Sequence, residues 1–136
     1  MRFMIIRKAD EETEAGALPS AALVTAMLAY NDELIKAGVM VDGAGLQRSD
    51  LGARISFRNG SPTITDGPFA EAKELIAGYT IISVKSKDEA ISWMKRWPSL
   101  DGGGNVQLEL RQMFSPEDFG DQAVVQAKKF VQTKSK

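Results

Sequence analysis

The chain has 136 residues, with 17 lysines and arginines against 18 acidic residues, and it contains neither cysteine nor histidine. A single domain of this length buries roughly two-thirds of its unfolded surface without disulfides, and the missing thiols and imidazoles exclude Cys and Ser-His nucleophiles and the usual zinc and haem ligands. A net charge of −1 draws the chain neither to nucleic acid nor to an anionic membrane, and no apolar run approaches the roughly 20 residues of a membrane span. A cytoplasmic protein is expected, with no cofactor, no metal, no membrane and no nucleic acid.

Arg2 to Lys8 reads as a strand with Phe3 and Ile5 on one face and Met4 and Ile6 on the other, hence a central strand. Residues 9–19 are polar and acidic and read as a solvated loop. Pro19-Ser20 opens a helix in which Leu23, Met27, Tyr30 and Leu34 share a face, with Gly38 as its stop. Val39 to Val41 reads as a second strand, followed by a Gly43-x-Gly45 that fits a bend or bulge better than a phosphate loop. Ala53 to Arg58 alternates, Asn59-Gly60 signals a tight turn, and Thr63 to Thr65 returns as the second arm of a hairpin.

Tyr79 to Val84 is again apolar on both faces. Ser86 and Glu89 form a capping pattern that starts a helix through Ala90, Met94 and Trp97 to Pro98. Asp101 to Asn105 reads as a glycine linker, and Val106 to Met113 as an alternating strand at the side of a sheet. Ser115-Pro116-Glu117 is read as the cap of a last helix, with Val124, Ala127 and Val131 on one face and Lys128, Lys129, Lys134 and Lys136 near its end.

Without the hairpin the order is strand, helix, strand, strand, helix, strand, the ferredoxin-like split β-α-β plan of an α+β fold. Its first and third strands are central, and those are the two with apolar residues on both faces. Helices cover one face of such a sheet only, so a second copy of the chain is expected on the other, as a homodimer. The predicted organisation is a domain over residues 1–114 with an inserted β-hairpin, and a C-terminal helical extension over 115–136.

Asp66-Gly67-Pro68-Phe69, followed by Glu71, Lys73, Glu74 and Gly78-Tyr79, resembles the signature of the DGPF branch of the YCII-related proteins. Ala37-Gly38-Val39, Gly45-Leu46, Asp88-Glu89-Ala90 and Glu109-Leu110-Arg111 extend the resemblance over most of residues 1–120. It implies a dimeric α+β barrel, with relatives encoded near extracytoplasmic-function sigma factors. Some YCII-related proteins are thought to use a histidine and aspartate pair, and one activity in the wider group is a dehydrochlorinase. This chain has no histidine, so only Asp66 remains as a motif-matched candidate.

Two readings of the motif stand side by side. In one, Asp66 caps a short turn begun by Pro68, Phe69 plugs the core, and the motif is architecture. In the other, Asp66 is an acid or base at the edge of a small-molecule cleft, walled by Phe69 and Tyr79 with Arg54 or Arg58 holding an anionic ligand. Glu71 and Lys73 belong to the same candidate ligand-binding set, though Lys73 reads equally as a surface ion-pair partner of Glu71 and Glu74. An oxygen-donor magnesium site from Asp66, Glu71, Glu74 and Glu109 is a weaker option. The competing function is a regulatory module that binds a partner such as a sigma factor.

Overall fold

A computed structural model describes residues 1–121, without the side chain of Lys73, and residues 126, 128 and 129. The strands are β1 (Arg2–Lys8), β2 (Met40–Gly45), β3 (Ala53–Arg58), β4 (Ser61–Asp66), β5 (Ile76–Ser83) and β6 (Leu108–Gln112); the helices are α1 (Glu11–Glu14), α2 (Ala21–Lys36) and α3 (Lys87–Met94). Four strands form one antiparallel sheet in the order β2-β5-β1-β6, while among the described residues β3 and β4 pair only with each other. This is the split β-α-β plan, with β1 and β5 in the middle.

The two-sided apolar strands behave as their patterns require. Phe3, Ile5, Ile82 and Val84 are buried with Tyr30 and Leu34 of α2, Val39, and Ala90 of α3. On the opposite face Met4 pairs with Ile81 and Ile6 with Tyr79. These four stand outside the buried core cluster and keep intermediate exposure.

Local chemistry sets the helix ends. The Ser20 side chain accepts the Leu23 N–H at the start of α2, and Gly38, at φ +75°, leaves its end in a conformation costly to any residue with a Cβ. Ser86 accepts the Glu89 N–H, and the Glu89 carboxylate accepts the Lys85 N–H one residue before the cap. Asn59 and Gly60 both take positive φ in the hairpin turn, which suits the right-handed twist of β3 and β4.

Four expectations need correction. Residues 9–19 contain helix α1, because Asp10 and Thr13 cap each other's amides and start a turn that polarity alone did not reveal. Strand β2 runs on through Gly45, with a register shift between Met40 and Asp42; edge pairing to β5 overrides the weak strand preference of glycine. The 101–105 segment is no passive linker, since Asp101 is buried. Ser115 opens a 3-10 turn over Pro116–Phe119, ended by Gly120 at φ +85°. The apolar stripe of Val124, Ala127 and Val131, and Lys134 and Lys136, lie outside the described residues.

Ser86→Ala removes one of these caps and is expected to lower the unfolding free energy by about 1 kcal/mol. Urea titration followed by circular dichroism measures it, with an unchanged slope expected.

Candidate functional site

A cavity of about 590 Å³ opens between α2 and the helix-facing side of the sheet. It exists because side chains are missing from the sheet. On the helix-facing side Gly43 lies opposite Thr80, Gly45 opposite Gly78, and Gly78 opposite Arg7, so three glycines of β2 and β5 form its floor. A Cβ on Gly45 would meet nothing within 4 Å, whereas one on Gly78 would come 3.0 Å from the Ala44 carbonyl oxygen. Leu23, Met27 and Asn31 of α2 form the roof, and residues from Asp10 to Pro19 form one side.

At the inner end lies a polar cluster. Arg7, buried on β1, makes a two-pronged ion pair to Asp101, with Nη2 to Oδ1 at 2.7 Å and Nε to Oδ2 at 3.2 Å. Its Nη1 donates to the Lys8 carbonyl oxygen at 2.8 Å and to Asp10 Oδ2 at 3.1 Å. Trp97 Nε1 donates to Asp101 Oδ2 at 2.9 Å. Burial pushes the Asp101 carboxyl up, but the hydrogen bonds from Arg7 and Trp97 outweigh it and hold the group below the usual carboxylate range. Asp10 follows the same balance: burial raises it, and the Thr13 amide with Arg7 brings it lower. Both carboxylates are therefore charged at neutral pH, as an anchor requires and a general acid does not.

The motif lies outside this cavity but supports its wall. A Cβ on Gly67 would collide with the Ser49 carbonyl oxygen, so only glycine allows the hairpin to dock on the 49–51 turn. The Phe69 N–H donates to Ser49 Oγ at 3.0 Å, and Ser49 in turn donates its own N–H and hydroxyl to the Glu14 carboxylate of α1. The hairpin base is thus tied through Ser49 to the segment that walls the cavity.

The sequence candidates separate. Arg54 and Phe69 meet, the guanidinium 4.0 Å from the ring centroid. Asp66 is exposed at the end of β4 and makes no side-chain hydrogen bond among the described residues; the turn-capping reading is corrected, because Ser49 takes the Phe69 amide. Arg58 is exposed beside the hairpin turn, and Glu71 is exposed with φ +62°. Tyr79 points to the opposite face of the sheet, its hydroxyl 3.5 Å from Asp42, and no ring contact joins it to Phe69 among the described residues. The Lys73 side chain lies outside them.

Among the described residues no three carboxylates gather where they could hold a metal ion, and no helix is long and apolar enough to cross a membrane. Arg7, Asp10, Asp101 and the glycine floor were missed by sequence reading. A charged residue ending a two-sided apolar strand, and Gly43, Gly45 and Gly78 at positions where a sheet ordinarily carries side chains, were the available signals.

An antiparallel split β-α-β sheet with a cavity under its first long helix defines a ferredoxin-like α+β protein. The YCII-related domain matches residues 1–113, and the chain belongs to that family. No curated protein matches it. Among solved structures it is similar to a 5-chloro-2-hydroxyhydroquinone dehydrochlorinase from Burkholderia phenoliruptrix AC1100, solved with 2,5-dihydroxybenzoquinone, at 19% identity and a TM-score of 0.45 over 86% of this chain and 98% of that one.

Asp101→Ala takes the two-pronged partner from buried Arg7 and leaves it Asp10 and the Lys8 carbonyl oxygen alone, and a loss of about 3 kcal/mol, the low end for a broken buried pair, is expected in urea unfolding. Because the folded-state values of Asp10 and Asp101 lie below their unfolded ones, their contribution is present above the unfolded carboxylate range near about pH 4 and disappears as pH falls through the folded values. Asp101→Asn should therefore flatten the acid limb of a stability–pH profile measured by thermal melting.

Proposed function

We propose that this YCII-related chain, of the DGPF branch, is a cytoplasmic homodimer that binds a small molecule in the cavity between α2 and the glycine floor. The observation that carries this reading is the cavity itself. Its 590 Å³ falls within the roughly 300–1,000 Å³ typical of small-molecule sites. It combines apolar walls from Leu23, Met27 and Met40 with a convergent polar end at Arg7, Asp10 and Asp101. The motif serves this site at second hand, by holding the 49–51 turn against α1. Residues from Ser115 onward are an extension outside it.

Dimerisation is supported by the open sheet face, where Met4, Ile6, Tyr79 and Ile81 form an apolar patch outside the core. Such a patch at the centre of a sheet favours burial against a second copy. A partner-binding reading has one observation in its favour: Ile55, Phe57 and Ile64 share a hairpin face with Pro62 and are 57%, 71% and 67% exposed. Pull-down of sigma factors or RNA polymerase with a Phe57→Ser control separates that reading from ligand binding.

A metabolite screen by thermal shift tests the main proposal. Ligands are expected whose stabilisation vanishes in Gly45→Phe, a substitution that fills the cavity from an unstrained position. Stabilisation that persists in this variant places the ligand elsewhere and removes the reading. Asp66→Asn should leave binding within about twofold; a larger loss restores Asp66 as an acid or base of the site. Light scattering at micromolar concentration should give a dimer, and Ile81→Glu, which buries a charge in the proposed interface, should give a monomer.

A further inference from the structure

We infer that the cavity selects against anions and takes a cationic ligand, or a neutral one rich in hydrogen-bond donors, with Asp10 as the contacting group. This rests on the cavity being the ligand site. An arginine on a cavity wall ordinarily suggests a carboxylate or phosphate ligand, but Arg7 is already consumed. Four of the five N–H donors of a guanidinium are spent, on Asp101 twice, on the Lys8 carbonyl oxygen and on Asp10. Its single charge faces two carboxylates, so the inner end carries a net negative charge.

The surroundings do not reverse that balance. Glu12 adds a third carboxylate on the wall, and Arg48, the other cation there, is engaged by Asp50 at 2.6 Å. Trp97 and Thr13 supply donors to Asp101 and Asp10, but neither brings charge.

Asp10 is the accessible member. The Asp101 side chain is 10% exposed and that of Asp10 38% exposed. Each Asp10 oxygen accepts one bond, Oδ1 from the Thr13 amide and Oδ2 from Arg7, which leaves a lone pair on each for a ligand donor. Asn31 on the roof adds an amide whose Oδ1 has no hydrogen-bond partner among the described residues. Leu18, Leu23, Met27 and Met40 supply apolar wall beside the neutral polar Gln47 and Thr80, so the ligand joins a donor-bearing or cationic end to a largely apolar body of modest size.

Three probes of one shape read this preference: benzylamine, benzyl alcohol and benzoate, titrated by NMR chemical shift at low ionic strength. Benzylamine is expected to bind tightest and benzoate weakest, with about tenfold or more between them, that is about 1.4 kcal/mol, since the two differ by an attractive against a repulsive charge contact. Added salt should compress the range. Asp10→Asn, which keeps a capping side chain on α1, should bring the amine and the alcohol within about twofold of each other. Glu12→Gln, on an exposed residue, provides a second variant with a smaller effect in the same direction. Benzoate binding as tightly as benzylamine, at shifts that Gly45→Phe abolishes, overturns the charge preference and leaves the cavity as the ligand site. Absence of any Gly45-sensitive binding by all three probes overturns both.

Discussion

The buried guanidinium of Arg7 is the constraint around which the cavity end of the molecule is arranged. It enters from the helix-facing side of the central strand β1, where a charge without partners would cost several kcal/mol. Asp101 must therefore lie within reach, which fixes the turn after α3. Trp97 binds the same carboxylate and packs edge-on to Tyr30 of α2, their ring centroids 5.4 Å apart. Asp10 completes the set and simultaneously caps α1. One guanidinium, through two ion pairs, thus holds together three segments that share no secondary structure.

A second constraint is the absence of side chains. Gly43, Gly45 and Gly78 leave the sheet bare beneath the first half of α2, while Ile5, Ile82 and Val84 fill the space farther along. The helix cannot close on the floor without giving up its packing at Tyr30 and Leu34, both fully or nearly fully buried. The result is a cleft open to solvent at one side of an otherwise close-packed domain.

The hairpin stands apart from both. Among the described residues its strands pair only with each other, its apolar face is exposed, and its base is anchored by the Gly67 approach to Ser49 and by the hydrogen bond from Phe69. The motif that dominates the sequence anchors the base of this hairpin. Its connection to the cavity runs through Ser49 and Glu14, one step from the wall.

What the amino-acid sequence determined by itself was the plan of the sheet and the ends of its helices. Two-sided apolar strands must be central, Asn59-Gly60 must turn, and Ser20 and Ser86 must cap, because each depends on neighbours within a few positions or on a periodicity of two. The capping of α1 by Asp10 was also local, yet the acidic run around it obscured the signal. Only tertiary structure decided the site. Arg7 and Asp101 are 94 positions apart, and nothing near either one specifies the other. Glycines separated by a helix and a hairpin become one floor only when β2 and β5 pair in register. A side chain that meets its partner through the fold leaves no local pattern, and a cavity is made of what the chain omits.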